Sequence, residues 1–271
     1  MGKIQALETG ISLLRWQVPK GKINPKTLGW VRPDGIINFQ SAEIAENYAK
    51  NRCISALRTS TPFERGFILR DNHVIAEVNG DFTKIDISPY SGKMVGATIF
   101  HGHPKLEGHT LPVSLSDYLV LVSQRLKKVV AFNERGEHSA ITQNPKKSLF
   151  IRLLPKKWQD KLIPFEQIGM GSVATSEYAK EFAKMFPKEI QKKVEHALHK
   201  QIGIPYGSRS KIAEFEKSKF TMDEFNTLNS IEEQAKKDGT LAKVVHNFWE
   251  KVAKKLECSY DTNFTELTKG A

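Results

Sequence analysis

The sequence predicts a mixed α/β domain followed by a mostly helical, basic one. Three patterns carry that expectation. Before Pro145, short β-branched runs are bounded by Gly, Pro, Asn and Asp. Two segments with the ~3.6-residue apolar period of a helix interrupt these runs. Beyond Pro145 the strand-like runs give way to long helical periods. With 271 residues, 39% hydrophobic, the chain can bury a core, which excludes a disordered or collagen-like class.

Residues 1–38 carry Pro19, Pro25, Pro33 and several glycines without a clear period, and form an N-terminal segment of uncertain structure. The α/β domain is expected over 39–145. Its first helix runs from Ser41, a suitable N-cap, to about Arg58, with Ile44, Ala45, Tyr48, Ala49, Ile54 and Leu57 roughly on one face. Thr59-Ser60-Thr61-Pro62 stops it. Strands are expected at Phe63–Arg70, Val74–Val78 and Phe82–Ile87, separated by Asp71-Asn72 and Asn79-Gly80-Asp81. The apolar run Lys93–Phe100 reads as a buried strand that leads straight into His101-Gly102-His103-Pro104. A loop then reaches Ser114, a second helix covers Tyr118–Lys128, and Val129–Asn133 with His138–Thr142 make a strand pair. The helical domain is expected over 146–271. Tyr178, Phe182, Met185 and Phe186 form one stripe, and Ile190, Val194, Ala197 and Leu198 another. Thr221–Glu224 and Ser230–Glu233 both have capping-box spacing. A last helix, begun after Asp238-Gly239, aligns Leu241, Val244, Val245, Phe248, Val252 and Leu256.

The formal charge is +11, from 41 Lys and Arg against 30 Asp and Glu, and both halves share it. The densest run, Lys146 to Lys161, is read as a solvated face in preference to an anionic partner surface, so nucleic acid is not the favoured partner. Cys53 and Cys258 have no companion at CxxC spacing, which argues against a disulfide framework or a thiolate zinc site. No stretch approaches the ~20 apolar residues of a membrane span, and no signal h-region is visible. A cytoplasmic protein is expected, and delivery by a specialised secretion system would leave the same pattern.

Side chains along a strand alternate, so His101 and His103 at a strand end face one side and can share an ion. Asp117, fourteen residues later at a helix start, can fold back to complete a two-His, one-carboxylate set. That set leaves one position for water, the ligand count of a catalytic zinc site. Zinc would bring the pKa of a bound water toward ~7, and hydrolysis then needs a base. Glu64, opening the run Glu64-Arg65-Gly66-Phe67-Ile68-Leu69, is the candidate for it. Ser114 supplies a hydroxyl for the oxyanion.

Glu64, then His101-Gly102-His103-Pro104, then Ser114-Leu115-Ser116-Asp117 resembles the JAMM motif of the JAB/MPN+ metalloproteases over roughly residues 40–145. The resemblance implies a JAB/MPN-like mixed sheet with flanking helices, zinc on His101, His103 and Asp117, Glu64 as acid/base and Ser114 on the oxyanion. It also implies protein substrates, among them ubiquitin or ubiquitin-like conjugates whose C-terminal tail adds as a strand. One feature departs from the family: ten residues, Pro104 to Val113, separate His103 from Ser114, a longer loop than usual. It carries Lys105, Glu107 and His109, which leaves open a rearranged ligand set or a flap, and Ser116 is a rival to Ser114.

Two readings of other classes stand beside the peptidase. One is a non-catalytic MPN-like scaffold or binding protein with a basic helical interaction domain. The other is a metal-dependent nuclease. His73 and His138 read as surface residues, Glu195-His196-Ala197-Leu198-His199 as a basic helix face, and His109 as an ordinary loop histidine, with contact to metal or substrate as the alternative. Gly169-Met170-Gly171-Ser172 lacks the residues of a phosphate loop, and Phe248 with Trp249 reads as core.

Overall fold

A computed structural model describes residues 30–31, 35–82, 84–143, 156–202 and 220–268. The expected N-terminal segment therefore lies almost wholly outside the described residues, as does most of Lys146–Lys161. The described chain falls into two compact units. Residues up to Pro104 with Gln124–Ala140 form the first, and Lys105–Ser123 with residues from Ile141 onward form the second. The whole is mixed α/β.

The first unit is a mixed sheet covered by one helix. Its strands are β1 (Trp30–Val31), β2 (Ile37–Asn38), β3 (Arg65–Arg70), β4 (His73–Asn79), β5 (Thr98–Gly102), β6 (Lys128–Phe132) and β7 (His138–Gln143), which carries the chain into the second unit. They run in the order β1-β2-β4-β3-β5-β6-β7. β3 pairs antiparallel with both β4 and β5, whereas β5 and β6 are parallel. A parallel pair cannot be closed by a tight turn, so the chain makes a long excursion between Gly102 and Lys128. That excursion begins at the carboxyl end of β5, where ligands of open α/β sheets bind.

Helix α1 (Ala42–Leu57) starts where Ser41, in extended backbone, accepts the Ile44 N–H on its Oγ at 3.3 Å. Ala45, Ala49, Cys53 and Ile54 then pack on Phe39, Phe67, Leu69, Phe100, Val130 and Phe132. Each fully buried large side chain of this kind contributes about 1.5–3 kcal/mol. Beneath the helix, Glu77 pairs with Arg52 at 3.1 Å and with Arg65 at 3.5 Å.

Phe82–Ile87 is not a strand. Asp81 and Lys84 close a turn instead, with Asp81 N–H donating to the Lys84 carbonyl and Lys84 N–H to Asp81 Oδ1, both at 3.0 Å. Ile85 packs over Gly66, where a Cβ would collide with its Cδ1. Ile85 thus serves side-chain packing and not a ladder, while Phe82 is exposed.

The second unit contains α2 (Leu115–Ser123), α3 (Lys156–Ala183), α4 (Lys188–Ile202), α5 (Met222–Lys237), α6 (Thr240–Val252), β8 (Cys258–Thr262) and α7 (Thr265–Thr268). One cluster joins Ala183, Phe186, Ile190 and Val194 to Phe182, Leu228 and Ile231. Phe248 and Trp249 are fully buried, and Tyr178 meets the Phe248 ring edge-on at 5.3 Å. The capping box at Thr221 and Glu224 forms. Ser230 caps nothing, because it lies inside α5. Gly169–Ser172 lies within α3, and Gly171 lets α2 approach closely: a Cβ there would stand 3.3 Å from Leu119 Cδ2. Among the described residues no helix is long and apolar enough to cross a membrane.

Candidate metal centre

The register of β5 sets the two histidines. His101 pairs with Gly66 of β3 on one side and Ala131 of β6 on the other. Beyond the last strand residue, the His103 N–H still donates to the Phe132 carbonyl at 2.8 Å, so the strand path continues through His103. The two rings therefore emerge on one side, as period two requires. Their Nε2 atoms are 2.8 Å apart and their planes cross at 71°. His101 is buried at 2% exposure.

Asp117 stands in the first turn of α2. Its Oδ2 accepts the Ser114 N–H at 2.6 Å and the Ser114 hydroxyl at 2.8 Å, and its own N–H donates to Ser114 Oγ at 3.2 Å. This reciprocal pattern is a capping box with Asp in place of Glu. Burial pushes the phenol of the next residue, Tyr118, well above its ordinary value, with Cys258 and Glu257 adding to the rise.

His101, His103 and Asp117 each offer a ligand atom, and these atoms all lie within 4.8 Å of one another. The group could hold a metal ion. Two nitrogens on one tetrahedral zinc stand about 3.3 Å apart, so the imidazole pair needs to part by only a fraction of an ångström. The donor chemistry and the spacing both fit.

No protein-family model, curated protein or solved structure matches the chain. The centre therefore rests on its own geometry.

Glu64 directly precedes β3, is buried at 8% exposure, and is held by its backbone to Gly80 and Asp81. It lies two residues before Gly66, the partner of His101, so the antiparallel register carries it level with His103. Ser116 is exposed on α2. In the long loop, Leu106 and His109 form a β-bridge around Glu107 and Gly108, both with positive φ. His109 is outside the ligand group. Its Nε2–H donates to the Lys237 carbonyl at 3.0 Å. His73 and His138 are half-buried at strand starts, and His196 is exposed on α4.

Sequence reasoning missed two contributors. Gly66 matters because Ile85 crowds it and the His101 Cβ lies at contact distance, which its place in a Glu-x-Gly run only hinted at. Trp249 reads as core and is core, yet its indole N–H donates to the Val113 carbonyl at 2.6 Å. The need of a buried indole for an acceptor is a signal, but no local pattern names a partner so far along the chain.

Proposed function

We propose that the chain is a zinc-dependent metallopeptidase of the JAMM type that hydrolyses peptide or isopeptide bonds, with ubiquitin or ubiquitin-like conjugates as its substrate class. The observation that carries this reading is the convergence of His101, His103 and Asp117 donor atoms within 4.8 Å. Zinc suits two imidazoles and a carboxylate, and three protein ligands leave a fourth place open. When bound it would supply Lewis acidity and an acidic water near neutral pH.

The remaining roles belong to this chain's own groups. His101 and His103 would hold the ion through ring nitrogens, and Asp117 would offset part of its charge. Glu64 takes the proton of the attacking water and returns it to the leaving amine, a role that suits a buried carboxylate beside the strand of His101. Ser114 donates its hydroxyl to the oxyanion. To do so, it must turn from Asp117 Oδ2, its acceptor at 2.8 Å.

The test combines metal analysis with turnover. Elemental mass spectrometry should find about one zinc per chain, lost in His103→Ala and Asp117→Ala. Glu64→Gln should keep that zinc and lose about 10²–10⁴-fold in hydrolysis of ubiquitin-like conjugates. A folded wild type that takes up no zinc, or full proteolysis by Glu64→Gln, would overturn the reading. The non-catalytic scaffold is then the alternative. One observation favours it: Ser114 and Asp117 already satisfy each other as a helix cap, which serves stability without any metal.

A further inference from the structure

The long loop that departs from the JAMM spacing is not loose in the second unit, where three anchors hold it to the C-terminal helices. At His109, Nε2 bonds the Lys237 carbonyl at 3.0 Å. The same ring packs on Gly239, where an added Cβ would come within 2.8 Å of it. At Leu111, the side chain packs on a cluster of Ala242, Phe264 and Leu267. At Val113, the carbonyl accepts the buried Trp249 N–H at 2.6 Å. The Trp249 ring also packs 5.7 Å from Tyr118, the residue after Asp117.

We infer that Trp249 is a positioning residue for Asp117, and that the C-terminal helices set the geometry of the metal ligand through the loop 105–113. The inference rests on the metallopeptidase reading for its consequence, but its structural content is independent of it. Val113 immediately precedes Ser114, the N-cap of α2, so fixing its carbonyl fixes the peptide plane that delivers the Ser114 N–H to Asp117 Oδ2 at 2.6 Å. The indole N–H is a restraint on this carbonyl, and losing a buried hydrogen bond of this kind is costly, so removing it lets this plane rotate and the cap loosen. Outer partners of a metal ligand typically change affinity by about 10–100-fold.

Trp249→Phe removes the donor while keeping an aromatic ring, and Leu111→Ala loosens the same loop without touching the Trp249 core. Val194→Ala, in the separate cluster of α3 and α4, serves as a stability control. Two readouts are needed: zinc affinity by chelator competition, and amide hydrogen exchange across residues 109–118 in the metal-free protein. Both loop variants should lose about tenfold in zinc affinity and exchange about tenfold faster over 114–118. The control should do neither. Unchanged exchange at 114–118 in folded Trp249→Phe and Leu111→Ala would overturn the inference, whatever the metal result. A wild type without zinc would instead sink the peptidase reading and leave the exchange data to decide this one. Zinc affinity equal to wild type in both variants would also overturn it, with the metal centre itself intact.

Discussion

The oxyanion role proposed for Ser114 competes with the bonds that it already makes. This serine caps α2 by accepting the Asp117 N–H, and it gives both its N–H and its hydroxyl to Asp117 Oδ2. Only the hydroxyl is lost in Ser114→Ala, so the backbone bond at 2.6 Å survives and Asp117 keeps one restraint. Loss of an N-cap side chain costs about 0.5–2 kcal/mol, which urea denaturation should register. Loss of an oxyanion donor costs about 10²–10³-fold in kcat, which single-turnover cleavage should register separately. The expected pattern is a modest stability loss, retained zinc and a large fall in kcat. If kcat stays at the wild-type level, Ser114 is a cap alone and the oxyanion donor must be sought elsewhere.

At the scale of elements, β3 shows how a strand with an empty position supports the next. Gly66 faces His101 across the ladder and leaves room for Ile85, so Gly66→Ala must push the half-buried Ile85 side chain from its place against β3. Overpacking of this kind costs about 1–3 kcal/mol, and β3 borders His101. The expected result is a lower urea midpoint together with weaker zinc retention on dialysis. A variant that is destabilised but binds zinc as tightly as wild type would show that β3 does not transmit strain to β5. The same region marks what sequence can reveal. α1, β3 and β4 were legible because their apolar periods and turn residues are local, and Ser41 does cap as its position suggests, whereas β5 begins at Thr98, not at Lys93, and runs on through Gly102. Phe82–Ile87 was misread because an apolar run after turn residues also arises when a coil packs Ile85 against a glycine. Ser230–Glu233 was misread because capping spacing recurs by chance inside a helix. β8 was missed because Cys258–Thr262 buries only its first residue. In the site, the His101–His103 pairing followed from strand period alone, whereas the anchors at Lys237, Ala242 and Trp249 depend on chain segments more than a hundred residues from the loop they hold.

At the scale of the whole molecule, the charge of +11 is a field, not a site. It attracts polyanions without choosing among them. The Lys-rich ion pairs of the helices are surface contacts, such as Lys184 to Glu181 at 2.7 Å and Lys193 to Glu224 at 2.6 Å, and each contributes little. A peptidase whose transition state is stabilised at His101, His103 and Asp117 needs none of this field for chemistry. A nuclease would need it to hold its substrate, since phosphate contacts release counterions and bind less tightly as salt rises. The two readings therefore part on ionic strength. Between about 50 and 200 mM salt, kcat/KM on an uncharged peptide substrate should change by less than about twofold, because screening acts on long-range attraction between charges, which such a substrate lacks. Any retention of nucleic acid by the same preparation should fall steeply over that range and should be unaffected by Glu64→Gln. Salt-sensitive cleavage of DNA or RNA that disappears with Glu64→Gln would instead assign the metal centre to phosphodiester chemistry, and the basic surface would then belong to the active site.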